Sequence, residues 1–193
     1  MTTQTSAVTT EISRTRRGVF LPQTAAERLL GFWWSVVRMF LFRWSPPPLN
    51  RWRIALLRLF GATVHSSAFI SPSVRIDYPW NLIVDRDVNM AHYIILNCMG
   101  TIEIGAGTQI SQYAHFCAGT HAYQRRDMKI VRRSIKIGKG VWIAADSFVG
   151  PGVTIGDGSL LAARSSAFSD LPAGQVCIGE PARPRRPWSG LAS

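Results

Sequence analysis

The chain has 193 residues, 47% of them hydrophobic, a net charge of +11 and three cysteines. That length supports one main domain with a core large enough to fold without disulfides or a metal. Cys98, Cys117 and Cys177 show no CxxC or other metal spacing and read as buried free thiols in a reducing compartment.

The charge is uneven. Residues 1–60 hold nine Arg against Glu11 and Glu27, whereas residues 61–193 carry thirteen Lys plus Arg against nine acids. Residues 1–24 are rich in Thr and Ser around a basic tract, Arg14, Arg16 and Arg17, and read as a poorly ordered basic N-terminus. No continuous apolar core or small-residue cleavage site follows the tract, so it does not read as a signal peptide. Residues 25–60 form an amphipathic helical segment. Its stretch from Leu29 to Trp44, LLGFWWSVVRMFLFRW, is interrupted by Arg38 and Arg43 and is shorter than the roughly 20 residues that cross a bilayer. Ser45-Pro46-Pro47-Pro48 breaks the helix, and Trp52 to Phe60 resumes it up to Gly61. Trp33, Trp34, Trp44 and Trp52 with interleaved Arg suit a helix lying in a membrane interface. They suit equally a helix that caps the end of a stacked-repeat domain, and the two readings are compatible. Nucleic acid is a poorer partner for this segment, because its arginines come with a dense apolar face and no recognised motif.

From residue 61 a branched apolar residue returns every sixth position. The pattern is cleanest from Ile137 to Ser166, where Ile137, Ile143, Val149, Ile155 and Leu161 take the first slot of each block. The second slot holds only Gly or Ala and the fifth only Val or Ser. A period of six fits neither an amphipathic helix nor a half-buried strand, and marks a parallel β-helix in which the first slots stack into a continuous core. Earlier blocks start at Val64, Ile70 and Ile76, then, after a two-residue shift, at Val84, Met90, Leu96 and Ile102, and after another at Ile104, Ile110 and Phe116. Each shift follows three completed blocks, so a coil has three faces and the shift reads as a long corner. Trp80 in a fifth slot and Arg86 at a corner are expected to pack against the N-terminal helices. Residues 122–134, AYQRRDMKIVRRS, break the period and form an excursion loop, the kind of insertion that carries function. The β-helix is expected over residues 61–178 and a basic tail over residues 179–193.

The blocks from Ile102 to Arg183 resemble the hexapeptide-repeat acyltransferases. HFCAGTHAY before the loop, IGKGVWIAADSFVGPGVTIGDG after it and GEPAR near the end are similar to the sugar O-acetyltransferases of colanic acid and exopolysaccharide gene clusters. FRWSPPPLNRWRIALLRLFGA is similar to the same subgroup, which extends the resemblance from about residue 25 to 188. It implies an all-β fold, a left-handed parallel β-helix with N-terminal amphipathic helices and an excursion loop, assembled as a homotrimer. Spacing alone cannot give the hand, and a left-handed crossover runs against the usual right-handed rule. The implied reaction moves an acetyl group from acetyl-CoA, used as a co-substrate without a metal, to a sugar or lipid-linked saccharide. The implied place is the cytoplasm, with peripheral contact at the inner face of the membrane through the N-terminal helices.

Such a transfer needs a base for the hydroxyl proton, and imidazole, with an ordinary pKa of about 6.5, suits that task. His121, in the last slot of its block beside the loop, matches the family's catalytic histidine; the bland alternative is a corner His packed under the loop. His115 occupies the same slot one block earlier, a third of a turn away, and is read as a stacked corner residue. His65 and His92 read as structural or surface residues, although His92, one coil below, is placed to line the pocket. Asn97 stacks beneath Cys117, where the family often has an Asn or Asp that contacts the acceptor; a corner hydrogen-bonding role is the alternative. By the same match Trp142 shapes the pocket or the cofactor groove, the backbone amides of Ala145 and Ala163 hold the thioester carbonyl and the pantetheine amides, and Arg183 meets a coenzyme A phosphate. Ala122 departs from the Asp common after the histidine, and Ser169 from a common Lys, which leaves the loop's anchor and the grip on the nucleotide open. Other readings are a serine-type small-molecule O-acetyltransferase, a non-catalytic β-helix scaffold, and a gamma-type carbonic anhydrase. The last needs two histidines five residues apart, whereas His115 and His121 are six apart.

Overall fold

In a computed structural model that describes residues 24–189, very short strands pair in parallel along three faces. Face 1 stacks Thr63–Val64, Leu82–Val84, Ile102–Ile104, Ile135–Ile137 and Thr154–Ile155. Face 2 stacks Phe69–Ile70, Asn89–Met90, Gln109–Ile110, Trp142–Ile143, Leu160–Leu161 and Gln175–Gly179. Face 3 stacks Arg75–Asp77, Ile95–Asn97, His115–Cys117, Phe148–Val149 and Ser166–Ala167. The result is a solenoid of about six turns, the left-handed parallel β-helix that the resemblance implies. The poorly ordered N-terminus expected over residues 1–24 lies, but for Thr24, outside the described residues.

The register explains each slot. Ile137 pairs with Ile155 and Ile143 with Leu161, so first-slot side chains stack directly, and all five from Ile137 to Leu161 are buried. Fifth-slot side chains are buried as well, and their hydroxyls find carbonyls: Ser147 Oγ donates to Ala144 O at 2.7 Å, and Ser159 Oγ to Pro172 O at 2.7 Å. Second slots are small because the coils nearly touch there. A Cβ on Gly105 would lie 2.7 Å from the carbonyl carbon of Gly138 one coil away. Sixth-slot residues are not at corners as the spacing suggested. Trp142, Phe148, Thr154 and Leu160 each open a strand and point outward, since strand neighbours alternate, and the turns fall at the third and fourth slots. The two-residue shifts also have a cause beyond a long corner. Leu82, Ile102 and Ile135 pair across face 1 and are fully buried, so face 1 carries a second inward residue in these three coils.

The N-terminal segment closes the open end. Thr24 caps helix α1 (Ala25–Val37) in a capping box with Glu27, and a π-helical turn, Arg38–Phe42, continues it. After Ser45 and the prolines, helix α2 (Asn50–Leu59) runs to Gly61, whose φ of 87° allows the turn into the first coil. The first strand of each face would leave a bare edge, and side chains from this segment meet it. On face 1, Arg58 Nε donates to Val64 O at 2.9 Å. On face 2, the wholly buried Arg53 donates to Ile70 O at 2.8 Å, with further bonds to Ser45 Oγ and the carbonyls of Pro46 and Pro47. On face 3, Trp34 Nε1 donates to Ile76 O at 2.7 Å. Trp80 packs where expected, with its ring against Gly31 of α1 and its Cβ against Gly61. Arg86, by contrast, is an exposed turn residue.

Two irregular stretches have more structure than the sequence suggested. The excursion is a β-hairpin arm, with Gly119–His121 antiparallel to Ile130–Arg132, so it begins before His121. Within the segment expected as a tail, Ala182–Pro187 folds back antiparallel on Gln175–Gly179 and covers the last edge of face 2.

Candidate active site

The hairpin arm leaves the solenoid at the corner between faces 3 and 1, and His121 lies on it opposite Ile130. Its Nδ1 is 2.7 Å from Met128 O. A carbonyl can only accept, so Nδ1 carries the proton and Nε2 keeps its lone pair on an exposed ring. That is the tautomer a general base requires. The arm is fixed at its root and within itself. Gly119 packs so closely on Met99 that a Cβ there would lie 2.7 Å from the sulfur. Ala122 N donates to Lys129 O at 2.8 Å, so the backbone supplies an anchor where the family's Asp is missing. Opposite Gly119, Arg132 makes a two-pronged contact with Glu27 of α1, at 2.8 and 3.0 Å. The hydrogen bonds from Arg132, with help from Thr24 of the capping box, hold the Glu27 carboxyl down at about 2.

Face 3 runs up to the root of the arm. Asp77, Asn97 and Cys117 share one column along its edge. Asn97 Oδ1 is buried and has no hydrogen-bond partner among the described residues, so the acceptor side of this amide is unsatisfied. Cys117 is half-buried and its thiol donates to Gly119 O at 3.1 Å, whereas Cys98 and Cys177 are fully buried; all three are free. His115 is an outward strand residue rather than the corner residue expected, set edge-on to Phe148 with ring centres 5.5 Å apart. Burial, then the Arg75 charge, lowers its pKa against a weaker pull from Asp77, which favours the neutral ring.

Three of the other expected residues line the opposite edge of face 3. The register places His92, Ala145 and Ala163 in one column at the corner between faces 2 and 3. Neither the Ala145 nor the Ala163 N–H has a partner among the described residues, while Ala145 O accepts from Arg164 N at 3.0 Å. Two free amides one coil apart suit an extended ligand with amide carbonyls of its own. His92 is held by Ser71 Oγ at 2.7 Å and Ser73 Oγ at 3.2 Å. Trp142, on face 2, donates to Ser111 Oγ at 3.0 Å and borders a cavity of about 290 Å³ with Asn89, Gln109 and Gln112. Arg183 lies on the terminal strand, exposed, with Nη1 3.3 Å from Ser169 Oγ, so the departure at Ser169 supplies the arginine a partner.

The expected residues therefore form two separate groups on one chain. His121 and Asn97 flank the corner of faces 3 and 1, and His92, Trp142, Ala145 and Ala163 flank the corner of faces 2 and 3. The larger cavity on face 1, about 670 Å³, includes Arg58, Glu103 and Lys136 but none of these residues. Among the described residues no three His, Cys, Asp or Glu side chains converge as metal ligands do. Glu27 and Arg132 did not emerge from the sequence as site residues. The Thr24-to-Glu27 spacing signals a capping box, but nothing local links Glu27 to a residue 105 positions away.

Residues 134–166 match the family model described as bacterial transferase hexapeptide (six repeats). The chain is 46% identical over 150 residues to WcaF of Escherichia coli (strain K12), named as a colanic acid biosynthesis acetyltransferase, covering 78% of this chain and 82% of that one. It is 29% identical over 148 residues to the galactoside O-acetyltransferase of the same organism, covering 75% and 73%. A galactoside acetyltransferase solved in complex with coenzyme A superposes with a TM-score of 0.72 at 25% identity, over 91% of this chain and 90% of that one. With its hexapeptide coils and these relatives, the chain belongs to the hexapeptide-repeat acetyltransferases.

Proposed function

We propose that this protein is an O-acetyltransferase that moves an acetyl group from acetyl-CoA to a hydroxyl of a sugar in an exopolysaccharide precursor. The single observation that carries the reading is the hydrogen bond from His121 Nδ1 to Met128 O, which leaves Nε2 as an exposed base. In the reaction, the acceptor oxygen attacks the thioester carbonyl carbon as its proton passes to Nε2. The tetrahedral species then collapses with cleavage of the C–S bond, and the imidazolium returns the proton to the coenzyme A sulfur. The free amides of Ala145 and Ala163 hold the thioester carbonyl and the pantetheine amides, and Arg183 meets a phosphate. Asn97, with its unsatisfied Oδ1, accepts from a sugar hydroxyl, and His92 and Trp142 border the acceptor.

The separation of these two groups, read as half-sites, supports a homotrimer. In it, the His121 arm of one copy meets the Ala145–Ala163 edge of the next, which a single chain holds at another corner. The acceptor favoured by this reading is a lipid-linked saccharide met at the inner face of the membrane by a cytoplasmic enzyme. Kinetics of His121→Ala test the reading. Acetyl transfer is expected to fall by ~100 to 10,000-fold with coenzyme A affinity nearly unchanged, and near-normal turnover would overturn it.

A further inference from the structure

Helix α1 is apolar on two opposite sides, and the solenoid uses only one of them. Gly31, Trp34 and, past the π turn, Phe42 face the solenoid, with Trp34 only 2% exposed. Leu29, Trp33, Val36 and Phe40 form the row spaced by four, three and four residues, on the opposite side of the helix. Leu29 is 62%, Trp33 54% and Phe40 65% exposed, and Phe32, Met39, Leu41 and Trp44 widen the patch. An apolar surface of this extent, contiguous and on one element, requires a partner. Capping the solenoid does not account for it, since the capping side is the other one.

We propose that this outward face of α1, with the Arg38–Phe42 turn and Trp44, docks on the surface of an anionic lipid bilayer. Two observations select a bilayer over another protein surface, and a third says how the helix meets it. The exposed residues are Trp, Phe, Leu and Met rather than the aliphatic set of a coiled-coil seam, and indole rings favour the headgroup boundary. Arg28, Arg43 and Arg51 of the same segment are exposed, Arg43 lying over the Tyr93 ring at 5.8 Å, while Glu27, the sole acid between residues 24 and 60, is taken by Arg132. The arginines thus offer a net positive rim to anionic headgroups. Finally, no helix among the described residues is long and apolar enough to cross a membrane, so the face lies on a bilayer rather than in one. The same helix contacts the His121 arm through the ion pair of Glu27 with Arg132.

Co-sedimentation of the full chain with lipid vesicles tests the proposal without any acetyl transfer. Vesicles of phosphatidylcholine with about 30% phosphatidylglycerol are expected to bind at least tenfold more tightly than phosphatidylcholine alone, and the increment is expected to disappear in 0.5 M salt, on the order of the screening at that strength. A Trp33→Glu/Phe40→Glu variant, verified as folded by its melting curve, is expected to bind roughly a hundredfold more weakly. Its turnover on a water-soluble saccharide is expected to stay within about twofold of the parent. Vesicle binding that is absent, or unchanged in the variant, overturns the proposal. So does an assembly that dissociates in the variant while the parent ignores vesicles, because the face then belongs to a second copy. Failure of the catalytic reading shows separately, as absent transfer to the soluble acceptor.

Discussion

Replacing Glu27 with Gln removes the ion pair to Arg132 while leaving the capping box nearly intact, since Gln at the third helical position still accepts from the Thr24 N–H. The magnitude follows from the carboxyl, which is held at about 2 against an ordinary 4.5. Full conversion at 1.36 kcal/mol per tenfold gives about 3 kcal/mol. Thr24 shares in that figure, and both side chains are partly solvated, 16% for Arg132 and 24% for Glu27. Screening by water therefore leaves about 1–2 kcal/mol for the tie itself. Lost locally, this amount speeds amide exchange in Gly119–His121 and Ile130–Arg132 by about tenfold. It lowers kcat several-fold, because the arm that carries His121 is less well held, with the KM for acetyl-CoA nearly unchanged because neither Glu27 nor Arg132 is among the residues proposed to bind it. The pH dependence has a definite sign. A depressed carboxyl stabilises the folded arm above pH 4.5 and loses that contribution as pH falls from 4.5 towards 2. Parent and variant should therefore converge in hydrogen exchange near the acid end of that window. Arg132→Glu paired with Glu27→Arg is expected to regain part of kcat. If Glu27→Gln leaves exchange in the arm and kcat as they were, or changes only KM, the positioning role is refuted.

Arg53→Met is expected to destabilise the fold by about 3 kcal/mol, roughly 6–12 °C in Tm for a chain of this size, because Ile70 O and the carbonyls of Pro46 and Pro47 lose their donor. Arg53→Lys should not restore it, since one ammonium cannot span the same fork; a melting curve equal to the parent's would count against this account of the cap. Gly105→Ala is expected to cost about 1–3 kcal/mol by denaturant titration, because the added Cβ meets the backbone of Gly138 and Lys139 within 3 Å. Gly107→Asn is the contrasting case: its φ is 70° but a Cβ there meets nothing within 4 Å, so the loss should stay under about 1 kcal/mol. Equal losses at the two positions would mean that coil spacing does not set the small second slot.

The three-faced coil was legible from Ile137 to Ser166, because inward side chains must repeat with the coil and second-slot side chains must be small. The helix break at Ser45-Pro46-Pro47-Pro48 was legible for a similar local reason: proline lacks the N–H a helix needs. His121 stood out beside the stretch where the period fails, and the family resemblance assigned it a role. The structure adds the hydrogen bond from Nδ1 to Met128 O, seven residues on and across a hairpin whose strands could not be read from their composition.

What remained hidden was non-local. Sixth-slot side chains were mistaken for corner residues because the spacing repeats every six residues wherever its origin is set; only the strand register shows that they face outward. Asn97 and Ala145 both lie on a regular wall, yet the three-faced coil sends them to different edges, an outcome that depends on where each turn falls. The link from Glu27 to Arg132 joins the first helix to the excursion arm across 105 residues. By itself the sequence determined the coil, its core and its breaks, because those depend on neighbours along the chain. Only the tertiary structure decided which faces meet, which amides stay free and what holds the histidine, because those depend on groups brought together by winding.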